Sequence, residues 1–249
     1  MAFGFVVYTD DQTIQIDDTV ACLSLATKLT VTLNNGEDSN VFMTGTFSYV
    51  GEFPVVAFSC PTENNARAAI FGATKVGNTW TFKIGMDNSR PSPAIRLYQC
   101  EIFIFDRPTA SGTGSGIAIY DAAGKVTFST ERRPMKVESS PGTFNNLTGE
   151  TTFGNSKKYA LALTTGVGIR EQEHEIDSNS DGVPEYFWTW EAQATMGYTF
   201  PGGYFVAYSS IDGGNGQAPA NFTDVYDMGD TGGLFSGAGG LLVLDVTGF

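Results

Sequence analysis

The chain of 249 residues carries a formal net charge of −13, and only 16% of its residues are charged, well below the roughly 25% of an average soluble protein. Such an acidic surface repels phosphate backbones and argues against nucleic acid as a partner. The sequence contains no run of about 18 apolar residues, so we expect no transmembrane helix. The 41% of hydrophobic residues, 13% of aromatic residues and 30 glycines favour a β-rich protein with a core and tight turns.

Short segments of alternating or β-branched residues follow one another along the whole chain, separated by Gly, Pro, Asn and Asp. Their spacing is typical of an all-β sandwich or barrel. No segment shows sustained helical periodicity, and residues 63–71 allow at most one helical turn. The predicted strands are residues 5–8, 13–16, 28–33, 41–50, 55–59, 79–84, 95–105, 117–120, 125–129, 159–163, 186–198, 204–209 and 241–246.

Two halves of the chain resemble each other. Residues 4–16 (GFVVYTDDQTIQI) align without gaps to residues 116–128 (GIAIYDAAGKVTF), and residues 100–106 parallel residues 240–246. Residues 106–116 are rich in Pro, Gly, Ser and Thr, as linkers often are. The pattern therefore predicts two tandem, related β-sandwich-like modules, residues 1–110 and 111–249, and the second module carries long glycine-rich loops around residues 213–233.

The three cysteines, Cys22, Cys60 and Cys100, are widely spaced in the first half of the chain. An odd number at this spacing matches neither a disulfide framework nor a zinc site. We therefore expect three buried free thiols in a chain made in a reducing compartment, and a Cys60–Cys100 pair remains the alternative.

One polar segment has the oxygen spacing of a calcium loop. Asp177, Asn179 and Asp181 alternate, the Val183 carbonyl and the Glu185 carboxylate follow, and a glycine stands at the turn. Calcium takes six to eight oxygen ligands, and loops of this form supply them at alternate positions. The twelfth position of the loop is not a carboxylate and its flanks are strands, so a polar hairpin tip without metal is the alternative. A structural Ca²⁺ site is the one cofactor expectation.

An aromatic strand follows this loop directly. With a period of two, Tyr186, Trp188 and Trp190 share one face of the strand, and Phe187 and Thr189 share the other. One of these faces belongs to the core. If the tryptophan face is exposed, it is a binding surface for sugar rings or for another protein.

Enzymatic chemistry has little support in the sequence. His174 is the single histidine, so a typical zinc site cannot form. Glu171, Glu173 and Glu175 alternate along one strand, as a glycosidase could use, but nothing fixes their distance from a second acid. We predict that the chain is not an enzyme.

Residues 116–137 (GIAIYDAAGKVTFSTERRPMKV) combine a glycine, a short strand, Tyr-Asp, a glycine turn, a VTF strand and a basic Arg-Pro segment. This phrase resembles small all-β tail proteins of long-tailed bacteriophages, found at the tail tip, baseplate or fibre. The resemblance implies a virion component and assigns no catalytic residue. The first copy departs from it, because Gln12 replaces the turn glycine.

The resemblance and the composition together predict a structural protein of a phage virion, made in the cytoplasm of the host bacterium, that acts in tail assembly and host-surface attachment. The expected partners are other tail proteins, copies of the same chain, and a glycan or protein of the host surface. A capsid decoration protein and a calcium-dependent carbohydrate-binding module are the alternatives.

Overall fold

The computed structural model describes residues 7–8, 14–16, 21–35, 42–60, 67–87, 97–109, 116–140, 149–164, 168–176, 185–215, 226–227 and 240–249. Every regular element among them is a strand, which confirms the all-β prediction. The strands are β1 Val7–Tyr8, β2 Ile14–Ile16, β3 Ser24–Asn35, β4 Phe42–Val50, β5 Val55–Ser59, β6 Arg67–Val76, β7 Thr79–Asp87, β8 Leu97–Asp106, β9 Ala118–Tyr120, β10 Val126–Ser129, β11 Val137–Ser139, β12 Gly149–Thr152, β13 Tyr159–Thr164, β14 Gly168–Ile176, β15 Glu185–Phe200, β16 Gly203–Asn215, β17 Tyr226–Asp227 and β18 Gly240–Asp245.

Two six-stranded antiparallel sheets form the body of the protein. The first runs β11-β18-β13-β5-β8-β3, and the second runs β4-β7-β6-β15-β16-β12. Two residue pairs at the ends of β3 and β4 join one sheet to the other. Among the described residues, no helix is long and apolar enough to span a membrane.

The strand order reads the same from the middle of each sheet outwards. In the first sheet, β3-β8-β5 on one side mirrors β11-β18-β13 on the other, and in the second sheet β4-β7-β6 mirrors β12-β16-β15. Each half of the chain therefore contributes three strands to each sheet, so two related sandwich-like modules lie side by side. The exact division at residue 110 stays a prediction.

Two residue pairs mark the centre of this arrangement. Phe58 of β5 is directly opposite Leu161 of β13, and Ala68 of β6 is directly opposite Gly197 of β15. The two residues of each pair are equivalent to each other. Residues that lie the same number of positions before or after them along their strands are therefore equivalent as well. Because the joining strands are antiparallel, the two modules are related by an approximate twofold rotation.

The core fills the space between the two sheets, and both modules contribute to it. Leu33, Phe58 and Ile102 of the first module share one buried cluster with Leu161 and Val243 of the second. Burying apolar side chains from water is the main favourable contribution to folding, about 25 cal/mol per Å². The modules are therefore stabilised by one continuous core.

The outer face of the first sheet is covered as well. Phe103 and Phe105 alternate with the inward residues of β8 and are fully buried, and residues from chain segments outside the sheets pack against their cluster. The backbone of Leu25 donates a hydrogen bond of 2.8 Å to the carbonyl of Arg133. The basic segment after β10 therefore lies against the first module.

The hairpins β1-β2 and β9-β10 support the internal repeat. Tyr8 pairs with Ile14 as Tyr120 pairs with Val126, both at the offset of 112 residues, and the register shifts at the same place in both. Gly124 has φ of 76°, the left-handed conformation expected for the turn glycine of the second hairpin.

The prediction of three free thiols is wrong, because Cys60 and Cys100 form a disulfide. Ser59 of β5 is opposite Glu101 of β8, so the next position along both strands brings the two cysteines together with Cα atoms 4.7 Å apart. This separation is within the range that a disulfide requires. Cys22 is free and half-buried.

β6 is a strand that the sequence pattern does not predict. Its first residues, 67–71, lie where the pattern allows one helical turn. They pair with β7 along their length instead, because the alternating residues of β7 provide a ready antiparallel neighbour.

Candidate functional site

The predicted calcium ligands Asp177, Asn179, Asp181 and Val183 lie outside the described residues, and Glu185 begins β15. In the part of the chain that the structure describes, no group of three or more His, Cys, Asp or Glu residues could hold a metal ion. The calcium site therefore stays a prediction.

The acidic residues of β14 and the aromatic residues of β15 stand in register. Directly opposite residues of an antiparallel pair lie on the same face of a sheet, so the two alternating series share one face. The pairs are Glu171–Trp190, Glu173–Trp188 and Glu175–Tyr186. The sequence predicts each series separately, and the register places the two series opposite each other.

β15 extends beyond the two-module body. Its single described pair with β6 is at Gly197, whereas residues 185–193 pair with β14 on one edge and, from Thr189, with β16 on the other. β14 also pairs in parallel with β17. The ribbon formed by these parts of β14, β15 and β16 has no counterpart among the described strands of the first module.

A cleft of about 540 Å³ lies at one end of the module junction, and we call it the polar cleft. It opens between the ends of β5, β8 and β15 and the segment that leads into β13. Its walls come from both modules. The lining residues are Thr30, Ser59, Cys60, Gln99, Glu101, Ser156, Lys157, Lys158, Tyr159, Thr199, Phe200 and Pro201.

Glu101 is held between two lysines in this cleft. Its carboxylate is 2.7 Å from Lys28 Nζ and also accepts a hydrogen bond from Lys158 Nζ. Partial burial of Glu101 opposes ionisation, but the hydrogen bonds from Lys158 and Lys28 outweigh that effect and lower the pKa of Glu101. Both ammonium groups also lie over the ring of Phe103, at 5.2 and 5.9 Å from its centre.

Lys157 makes a second cluster of charges at the rim. Its ammonium group is 2.9 Å from a carboxylate oxygen of Glu138 and 3.4 Å from one of Asp245. The hydrogen bond to Glu138 raises the pKa of Lys157, burial opposes this, and the smaller contribution of the hydrogen bond to Asp245 adds to the rise. Lys157 therefore stays charged at neutral pH.

Several polar side chains in the floor of the polar cleft have hydrogen-bond partners within the protein. The hydroxyl groups of Ser59 and Thr199 are 2.8 Å apart and join the two sheets, and Tyr159 donates to the Asn155 side chain at 3.1 Å. Gly202 follows the lining residue Pro201 and has φ of 82°, and a Cβ atom there would overlap the Asn155 carbonyl oxygen.

A second cleft of about 420 Å³ lies at the opposite end of the junction, and we call it the apolar cleft. Nine of its lining residues are the counted equivalents of polar-cleft residues in the other module, but their chemistry differs. The lining residues are Pro54, Val55, Val56, Ile70, Phe71, Gly72, Ala73, Phe82, Ala162, Leu163 and Leu242.

A third group of polar residues ties the end of β8 to neighbouring loops. The buried carboxylate of Asp106 accepts hydrogen bonds from the backbone of Glu52 at 2.9 Å and of Phe53 at 3.0 Å. Burial and the adjacent Asp106 charge raise the pKa of Tyr49 to about 12. All partners of Asp106 are internal, so this group has a structural role at a loop junction.

The residues just after β8 are anchored, although the composition of residues 106–116 is that of a linker. Arg107 forms an ion pair with Asp121, and its Nε donates to the Val126 carbonyl at 3.0 Å. The hairpin that carries the phage-like phrase is thereby fixed to the end of the first module.

The polar cleft is the feature that sequence reasoning missed. Its residues come from five separate segments of the chain, and each one taken alone has the ordinary composition of a strand end. The one local signal is the pair Lys157–Lys158 in a chain with few basic residues.

Comparison with known proteins gives one result. Residues 66–182, somewhat less than half of the chain, match the model of a family of unknown function (DUF6453). The matched segment contains β6 to β14 and therefore spans both modules. No curated protein and no solved structure matches the chain.

Proposed function

We propose that the chain is a non-enzymatic structural component of a bacteriophage virion, at the tail tip, baseplate or fibre, where it acts in tail assembly and host-surface attachment. The observation that carries this proposal is the ribbon of β14, β15 and β16, which extends beyond the two six-stranded sheets of the body. Its register sets three acidic residues of β14 opposite three aromatic residues of β15. Aromatic residues are enriched at protein interfaces, where they carry much of the binding energy.

Two further observations support the proposal. The hairpin within the phage-like phrase of residues 116–137 is formed, with its glycine turn in the left-handed conformation. The body is all-β and charge-poor, a composition suited to packing against neighbouring subunits. We propose that the partners are other tail proteins and copies of this chain, and that Ca²⁺ orders the loop before β15.

The test is to locate the chain in virions released by the bacterium or phage that carries its gene. Mass spectrometry of purified virions asks whether the chain is present, and immunogold electron microscopy asks where. Gold at the distal end of the tail supports the proposal. Gold on the capsid supports the alternative of a decoration protein, and absence from purified virions contradicts a structural role.

A further inference from the structure

The two clefts at the module junction occupy equivalent positions but have opposite chemistry. One position after the central pair, Ser59 in the polar cleft corresponds to Ala162 in the apolar one. The strand partners of these residues are Glu101 and Leu242. Two positions after the other central pair, Thr199 corresponds to Ile70. The apolar cleft shows that the junction can form without polar residues at any of these positions.

Polar groups at such positions have a cost, because each loses contacts with water unless partners replace them. Glu101 has two lysine partners, and Ser59 and Thr199 bond to each other. The fold therefore contains an organised polar cleft where an apolar one would serve for packing.

Charge narrows the class of ligand. Three ammonium groups and three carboxylates pair with one another at the polar cleft. Lys157, Lys158 and Glu101 line it, and their partners Lys28, Glu138 and Asp245 lie beside the lining. The cleft is thus locally neutral on a chain with a net charge of −13. An anionic ligand would have to displace these ion pairs, whereas a neutral ligand can bind beside them.

The hydrogen-bonding capacity of the polar cleft narrows the class of ligand further. A carboxylate only accepts hydrogen bonds and an ammonium group only donates them. The Glu101–Lys158 pair places an acceptor next to a donor, as neighbouring hydroxyl groups require. Exposed Thr30, Gln99 and Ser156 stand at the rim.

The remaining wall is apolar. Phe200 and Pro201 also line the cleft, and the carbon-bound hydrogens of a sugar ring pack well on such surfaces. The volume of about 540 Å³ lies within the roughly 300–1,000 Å³ of small-molecule sites. Only a ligand with both hydroxyl groups and an apolar face uses all of these features.

We infer that the polar cleft binds a neutral sugar residue of a glycan. The inference rests on the host-attachment part of the proposed function and names the site and the chemical class of the ligand. The apolar cleft, at the equivalent position, binds no sugar.

The experiment is saturation-transfer NMR on the full chain with glucose, galactose and N-acetylglucosamine at millimolar concentration, followed by a glycan array of bacterial surface polysaccharides. Two variants alter the polar cleft: Glu101→Leu introduces the residue type found at the equivalent position, and Thr30→Trp fills the cleft from an exposed strand position. Each is expected to weaken sugar binding by roughly tenfold or more, since a hydrogen bond to a charged group is lost or the space is filled.

Two matched controls keep the test specific. Ala73→Trp adds the same side chain to the apolar cleft, and Glu52→Leu removes a different exposed carboxylate that pairs with a lysine, Lys125. Both are expected to bind sugar as the wild-type chain does. Loss of binding in Ala73→Trp but not in Thr30→Trp would place the site in the wrong cleft and overturn the inference.

The inference is also overturned if no neutral sugar binds in either format, or if sulfate and phosphate bind while sugars do not. The proposed virion role is judged separately by the location of the chain in virions. A chain found at the tail tip without sugar binding would leave the structural role standing and remove only this site.

Discussion

The two modules have the same strand pairing but are stabilised and used differently. In the first module, Cys60 and Cys100 form a disulfide across β5 and β8. The counted equivalents in the second module are Leu163 and Leu241, which are direct partners across β13 and β18 and are buried in the same core. A covalent pair and an apolar pair thus fill equivalent positions. The comparison shows that strand order defines this fold, whereas individual side chains are free to diverge.

The divergence is greatest where the modules meet. The approximate twofold rotation creates two clefts, and only one of them has ion pairs and hydroxyl groups. Among the strands that the structure describes, only those of the second module form a ribbon like that of β14, β15 and β16. Additional functions are therefore expected at the polar cleft and at the ribbon, and the shared strands provide the support for both.

The largest effects are expected from the disulfide and from its leucine counterpart. Reduction should lower the free energy of unfolding by about 3–4 kcal/mol, because the crosslink closes a long loop, with Cys60 and Cys100 separated by 40 positions. Urea unfolding with and without dithiothreitol measures this. Cys22→Ser should keep the response, and Cys60→Ala/Cys100→Ala should lose it.

The leucine pair sharpens the same comparison. Leu163→Ala or Leu241→Ala should cost about 2–5 kcal/mol through lost burial and a residual cavity, and each variant should keep the full response to dithiothreitol. A wild-type chain whose stability ignores dithiothreitol would show that the cysteines are not bonded in solution.

The next largest effect concerns the turn next to the polar cleft. Gly202→Ala should destabilise the chain by about 2–3 kcal/mol, because an alanine there is strained by its positive φ and overlaps the Asn155 carbonyl. Gly77→Ala is the matched control: φ is 62° but nothing lies within 4 Å, so only the strain of about 1 kcal/mol is expected. If both variants lost the same free energy of unfolding in urea, this would contradict the close approach of Gly202 to the Asn155 carbonyl oxygen.

Calcium tests the predicted loop that precedes β15. If residues Asp177 to Glu185 bind Ca²⁺, a free Ca²⁺ concentration ten times the dissociation constant should raise the free energy of unfolding by about 1.4 kcal/mol. Light scattering with calcium and with chelator asks whether the loop also organises an assembly. An Asp177→Asn/Asp181→Asn variant should remove the response. Identical melting and particle mass in both buffers would favour the plain hairpin tip.

The smallest effect is the pH dependence of Glu101. Its pKa is lowered in the folded chain, because hydrogen bonds from Lys158 and Lys28 outweigh the opposing effect of burial. Glu101 therefore contributes fully to the free energy of unfolding above its pKa in the unfolded chain, near the usual value of 4.5. This contribution is lost as the pH falls through its lower pKa in the folded chain. For a partly exposed ion pair we expect less than about 1 kcal/mol. Glu101→Leu should flatten this part of the stability curve, and an unchanged curve would argue against the pairing.

The sequence predicts the strands best where residues alternate, as in β3 and β8, and it identifies the repeat through the two hairpins. It fails at β6, whose small residues lack a clear period. It also aligns residues 100–106 with 240–246 one position out of step. Cys100 and Ile102 point into the shared core, and so do Leu241 and Val243, but this is decided by the pairing of β5 with β13 and cannot be read from either segment alone.

The sequence offers the disulfide only as an alternative and does not predict the polar cleft, and the two share one reason. Cys60 and Cys100 become neighbours only once the register of β5 and β8 is fixed. Likewise, Glu101 gains Lys28 from the adjacent strand and Lys158 from the other module. These contacts depend on long-range strand pairing, which local periodicity does not specify.

The central claim is that equivalent clefts of one repeated fold have diverged into a sugar site and an apolar packing feature. Backbone amide NMR shifts measured during titration with the neutral sugar that gives the strongest saturation transfer test it most directly, since both clefts are observed in one spectrum. We predict shifts at Thr30, Gln99 and Ser156 and none at Ile70 and Ala73. Shifts at both clefts, or at neither, would contradict the account.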